Sequence, residues 1–116
     1  MTAPFDPVPY AQRQLDAYNA RDLEGFIREY TPDVVVYRLP KPEPVIVGRD
    51  ALAAHYRDNR FNRAGLHARL VSRMVIGNKV IDEEEVHGVT ATPMHVAAIY
   101  EVTAHGIARV WFVDGK

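Results

Sequence analysis

The chain has 116 residues, a net charge of −1 and no cysteine. That length suits one domain, expected to span residues 1–116, and the missing thiols exclude a disulfide frame, a thiolate metal site and a cysteine nucleophile. The near-neutral balance gives no general attraction to nucleic acid or anionic lipid, no apolar run approaches the roughly 18 residues of a membrane span, and the opening MTAPFDPVPY lacks a secretory pattern, so a cytoplasmic protein is expected.

Asp6 before Pro7 reads as a helix start, a capping carboxylate followed by proline in the first turn. Val8, Ala11, Leu15 and Tyr18 then recur at helical steps, with Gln12, Arg13, Asp16 and Asn19 on the opposite side. A second, short helix starts at Asp22. Its apolar stripe is Leu23, Phe26, Ile27 and Tyr30, and Pro32 is expected to stop it. The β-branched run Val34–Val35–Val36–Tyr37 predicts a strand, and Val45–Ile46–Val47 a short edge strand beyond the proline-rich 40–44 stretch. Gly48 turns into a third helix whose face carries Leu52, His55, Tyr56 and Asn59, with Gly65 as its expected end.

The rest is strand-rich. Residues 67–76 and 80–86 flank Gly77–Asn78–Lys79, and residues 94–103 and 107–113 flank Ala104–His105–Gly106, which predicts two hairpins. Helices first and an antiparallel sheet last is an α+β order. In the second hairpin Glu101 should face Arg109, Ile99 face Trp111 and Ala97 face Val113. The other face carries Ala98, Tyr100, Val110 and Phe112. Both faces are apolar, so one should meet the helices and the other a second subunit.

Four strings in this order resemble the nuclear transport factor 2-like, or SnoaL-like, superfamily. They are Tyr18–Asn19–Ala20–Arg21–Asp22–Leu23, Tyr30–Thr31–Pro32–Asp33–Val34, Gly48–Arg49–Asp50–Ala51–Leu52, and Gly106 through Phe112. The resemblance runs from Val8 to Val113. It implies a cystatin-like cone: about three helices on one face of a curved, mainly antiparallel sheet, enclosing a hydrophobic pocket, with a homodimer through the open face. It also implies cofactor-independent isomerase, cyclase or hydratase chemistry on a small apolar molecule bearing a carbonyl or hydroxyl. The alternative is a non-catalytic binding or assembly module, its pocket filled by Phe26, Phe61 and Phe112.

The acid–base groups of the ketosteroid isomerases in that superfamily do not carry over. Counting from the shared strings puts the donor tyrosine near Gln14, the base near Arg38 and the protonated-acid donor near Ala98, none with the required chemistry. The catalytic carboxylate of the epoxide hydrolases falls near Phe112. Among the remaining ionisable groups, Arg73 should face Asp82 or Glu84, depending on the turn register. That acid, with Asp82 the choice, reads either as a base held in a pocket by Arg73 or as half of a cross-strand ion pair on the sheet surface or dimer face. His55 reads as an acid–base group or a rim histidine, and Arg38 as an anion-binding or a solvated residue. Gln14, Tyr18, Arg38, Tyr56, Ala98, Tyr100 and Phe112 are expected to line the pocket, while Tyr18, Tyr30 and Tyr100 read either as pocket hydroxyls or as core aromatics with polar tips. The histidines at 55, 67, 87, 95 and 105 show no metal-ligand spacing, Arg57, Arg60 and Arg63 read as an exposed helix side, and neither metal nor nucleic acid is expected.

Overall fold

A computed structural model describes residues 5–114; the first four residues of the opening decapeptide and the last two of the chain lie outside them. The elements are α1 (Val8–Asn19), α2 (Leu23–Arg28), β1 (Tyr30–Arg38), β2 (Pro44–Val47), α3 (Arg49–Asn59), β3 (His67–Ile76), β4 (Lys79–His87), β5 (Met94–Thr103) and β6 (Gly106–Asp114). The six strands form one curved sheet in the order β2-β1-β6-β5-β4-β3. Only β1 and β6 run parallel; every other neighbouring pair is antiparallel. Three helices cover one face, which is the α+β cone expected.

At the start of α1 the Asp6 carboxylate accepts a hydrogen bond from the Val8 N–H at 3.0 Å, satisfying a donor that the helix leaves free. The buried stripe is Ala11, Leu15 and Tyr18, widened by Gln14 and Ala17. Asp22 caps α2 by accepting from the Gly25 N–H at 3.1 Å.

Two boundaries differ from the sequence expectation. Tyr30, Thr31 and Pro32 do not belong to the second helix or its stop; they open β1. Proline is tolerated there because the β1–β6 register breaks between Tyr30 and Val35, where no ladder donor is required. The third helix ends at Asn59 rather than near Gly65. The amides of Arg60 and Phe61 both donate to the Tyr56 carbonyl, at 3.0 and 2.8 Å. This early end lets Phe61 pack 5.6 Å from Tyr18 and 5.4 Å from Phe26, between ring centroids. Aromatic burial outweighs a further turn of polar helix.

Both hairpin registers are resolved. Ile76 pairs with Lys79, so Gly77–Asn78 is the turn and Arg73 faces Asp82, not Glu84. In the second hairpin Glu101 faces Arg109, Ile99 faces Trp111 and Ala97 faces Val113, as expected. The turn there is Ala104–His105, with Gly106 in the first pair of β6.

Strand alternation sorts the side chains. Val80, Asp82, Glu84 and Val86 of β4 and Ala98, Tyr100 and Val102 of β5 point to the helices and are buried. The outer face carries Ile81, Ile99 and Trp111, with Tyr37 stacked on Trp111 at 5.7 Å and 11°. Met74 and Ile76 on that side are 55% and 61% exposed, so no part of the described chain covers it. No helix among the described residues is long and apolar enough to cross a membrane.

Candidate functional site

A cavity of about 230 Å³ lies between the helices and the inner sheet face. Its walls are apolar, with Leu15 and Phe26 on the helical side and Val36, Val86, Val96 and Phe112 on the sheet. Phe26 and Phe112 therefore line the space instead of filling it.

The deep end is polar in one place. Gln14, buried in α1, donates from Nε2 to the Ala11 carbonyl and to the Tyr100 hydroxyl, both at 3.0 Å. Its Oε1 accepts from the Tyr30 hydroxyl at 3.1 Å. Helix burial holds the amide, and the amide fixes two phenols. Burial raises both phenols well above the usual tyrosine range, so each keeps its proton. The Tyr100 hydroxyl accepts from Gln14 and has its own proton free to donate among the described residues.

Glu84 is the outstanding ionisable group of the cavity. It is 6% exposed, and its Oε2 is buried without a hydrogen-bond partner among the described residues. Burial, and then the nearby Asp82 charge, push its carboxyl up from 4.5 to about 7, against the pull of Arg73. A carboxyl without a cation or donor of its own avoids the cost of a buried charge by holding its proton to higher pH. Near neutrality it can give or take a proton.

Asp82, two residues earlier on the same inward row, does not line the cavity. It is completely buried. Arg73 clamps it bidentately, Nε to Oδ1 at 2.7 Å and NH2 to Oδ2 at 2.9 Å, and NH1 of Arg73 reaches Gln12 Oε1 at 2.9 Å. This is a matched, hydrogen-bonded pair sealed under α1, a structural arrangement that also sets the field at Glu84.

The open end is ringed by Arg38, His55, Arg60 and Asp114. Arg38 lies over the Phe112 ring at 5.7 Å and pairs with Asp114 at 3.0 Å, both side chains partly exposed. His55 stands edge-on to Tyr56 at 5.3 Å. Burial, then the Arg60 and Arg38 charges, lower the His55 pKa, so the ring is held neutral. Tyr56 is pushed up to about 12 by burial.

The structure therefore brings Gln14, Tyr18, Arg38, His55, Tyr56, Tyr100 and Phe112 together on one cavity, and leaves out Asp82 and Ala98. Ala98 is fully buried opposite Asp82, its methyl group part of the sheet packing. Sequence reasoning left Asp82 and Glu84 as alternatives and settled on Asp82, and it missed Arg60 as a site residue. For Glu84 the signal was present: a run of four acids in a strand must turn two of them inward. For Arg60 it was not, because its direction follows from the early end of α3. His87 and His95, which flank one loop, each engage a separate acid, Glu85 and Glu83.

The SnoaL-like domain family matches residues 11–116. No curated protein matches the chain. Among solved structures, a nuclear transport factor 2-like protein of unknown function from Burkholderia xenovorans LB400 is 19% identical, with TM-score 0.78, covering 95% of this chain and 83% of its own. A provisionally assigned ketosteroid isomerase from Kribbella flavida DSM 17836 is 16% identical, with TM-score 0.80 and coverages of 95% and 78%. An LEH-like epoxide hydrolase from M. tuberculosis is 16% identical, with TM-score 0.79 and coverages of 94% and 82%. Identities this low show the fold alone. The family match, across nearly the whole length, shows more: the chain belongs to the SnoaL-like domain family.

Proposed function

We propose that the chain binds a small apolar carbonyl or hydroxyl compound in this cavity and moves a proton on it, with Glu84 as the acid–base group and the Tyr100 hydroxyl holding the ligand oxygen. The observation that carries this reading is the Glu84 carboxyl, buried among apolar side chains with Oε2 unpartnered. A group of this kind is costly unless a ligand or a reaction uses it. The reaction class is isomerase, cyclase or hydratase chemistry without a cofactor. The isomerase and hydrolase names of the two structural neighbours favour it. Gln14, Arg38 and Ala98 stand where the isomerase triad would fall, so proton transfer here runs from the β4 strand instead.

The test is a thermal-shift screen with small cyclic ketones, alcohols, epoxides and aromatic acids. A ligand at a hundred times its dissociation constant stabilises the fold by about 2.7 kcal/mol. The proposal expects a shift from one chemical class, retained in Glu84→Gln, with turnover of that class lost in the variant. Binding without any turnover in the wild type favours the second reading, a non-catalytic binding module. No shift across the panel contradicts both.

A homodimer through the outer sheet face belongs to the same proposal. Exposed Met74 and Ile76 and the stacked Tyr37–Trp111 pair support it, and the one carboxylate between the apolar residues of the β5–β6 pair, Glu101, has cations on both sides, Lys79 at 3.6 Å and Arg109 at 3.8 Å. Sedimentation velocity should give a dimer that Trp111→Glu converts to a monomer; a monomeric wild type would refute it.

A further inference from the structure

The rim of the cavity says more about the ligand than its walls do. Three arginines at 57, 60 and 63 follow one another at helical spacing and read from sequence as a single exposed row. The early end of α3 separates them. Arg57 pairs with Asp58 at 3.0 Å on the surface. Arg63 folds back, its Nε donating to the Asn59 carbonyl at 3.0 Å. Arg60, the C-cap residue with φ −133° and ψ −60°, leaves the helical path and turns its side chain to the cavity.

Arg60 is half-buried, and no carboxylate pairs with it among the described residues. Its guanidinium donates to the adjacent Asn59 carbonyl at 3.0 Å and interacts with the Tyr18 hydroxyl. Its charge nonetheless acts on Tyr18, Tyr56 and His55, three residues that line the cavity. Arg38, the other rim cation, is already matched by Asp114. With His55 neutral, two arginines and one aspartate leave a single positive charge at the mouth, and it resides on Arg60.

We infer that the ligand is a small apolar oxo- or hydroxy-carboxylic acid, whose carboxylate rests on Arg60 beside Tyr18 and His55 while its apolar body and oxygen reach inward to Tyr100 and Glu84. The inference rests on the reading of the cavity as a ligand site and specifies the class of compound. A guanidinium presents a planar fork of donors that matches a carboxylate, and one unmatched positive charge suits a monoanion. The charges acting on Glu84 are those of Asp82 and Arg73, and Tyr18 and Tyr56 lie between it and Arg60, within the field of both. Size agrees. The cavity of about 230 Å³ holds roughly eight waters' worth of liquid volume, and it falls below the ~300–1,000 Å³ of common ligand pockets. One ring or a short chain fills it; a four-ring skeleton does not.

The experiment uses matched pairs, one-ring carboxylic acids and the primary carboxamides of the same skeletons, titrated by NMR at about pH 7.5 into the full chain. The wild type should bind the acid of at least one pair about tenfold to a hundredfold more tightly than its amide, the range of a charge-assisted hydrogen bond. The His55 pKa should rise when the acid binds and stay in place with the amide. Arg60→Gln should abolish the preference by weakening the acid far more than the amide, and Arg60→Lys, which keeps the charge, should retain most of it. Equal binding of acid and amide by the wild type overturns the inference while the cavity stands as a ligand site. So does a preference that survives in Arg60→Gln. Binding of neither member by the wild type, for every pair, removes the ligand-site reading and this inference with it.

Discussion

Replacing Glu84 by Gln keeps the side chain's shape and removes its titration, which makes it a direct probe of the buried carboxyl. Its pKa rises from 4.5 to about 7 on folding. One pKa unit is worth about 1.4 kcal/mol, so ionising Glu84 costs up to about 3 kcal/mol more in the folded chain than in the unfolded one. The sign follows from the direction. The folded state holds this proton more tightly, so the group's favourable contribution is complete below about pH 4.5 and is lost as pH rises through about 7. The glutamine variant does not suffer that loss. Relative to wild type it should gain up to about 3 kcal/mol between about pH 4.5 and pH 8.5, and at roughly 4 °C per kcal/mol the relative Tm should move by ~10 °C. Calorimetry or circular dichroism on both proteins across that range measures the difference directly. Any fixed offset from the new amide group is the same at every pH and cancels. A wild-type–variant difference that stays flat with pH would refute the reasoning, because Glu84 would then titrate alike folded and unfolded.

Three further outcomes follow from the same contacts. Asp82→Asn removes one partner of the clamped pair with Arg73 and should cost about 3 kcal/mol in chemical denaturation. By taking away a negative charge and leaving Arg73 unmatched, it should also move the Glu84 titration to lower pH, which the pH profile of any turnover would reveal. Tyr100→Phe removes an acceptor of the Gln14 amide and should cost about 1 kcal/mol of stability; if the hydroxyl holds the ligand oxygen, turnover should fall at least tenfold. Gly106→Ala places a Cβ 2.8 Å from the Glu29 carbonyl oxygen at φ +130°, where Ile107 N–H bonds that same carbonyl at 2.8 Å. It should destabilise by about 2 kcal/mol, read as a fall in Tm.

The fold was legible because its signals are local and repeated. Helical spacing marked α1, the Gly77–Asn78 turn set one hairpin, and the β5–β6 pairs fell in the expected register. The errors lie where tertiary contacts outrank local preference. Pro32 reads as a helix stop, yet a break in the β1–β6 ladder lets it stay in a strand. Gly65 reads as a helix end, yet the aromatic cluster around Phe61 ends α3 six residues earlier, at Asn59. The second error hid Arg60, whose inward direction depends on that early stop. The site was half legible. Tyr18, Tyr56 and Tyr100 lie where the strand and helix periods put them. The choice between Asp82 and Glu84 turned on which acid Arg73 faces, and that is a matter of turn register. Arg73 takes Asp82, so Glu84 is the acid left free in the cavity.

The central claim is that Glu84 moves protons on a bound carbonyl compound. Incubation of wild type and Glu84→Gln in heavy water with a panel of small enolisable ketones and oxo-acids, followed by NMR, measures that transfer without knowledge of the natural substrate. The account predicts deuterium exchange beside the carbonyl of at least one bound compound with the wild type, at a rate rising as pH passes through about 7, and none above background with the variant. Equal exchange by both proteins, or none by the wild type with compounds shown to occupy the cavity, would contradict it.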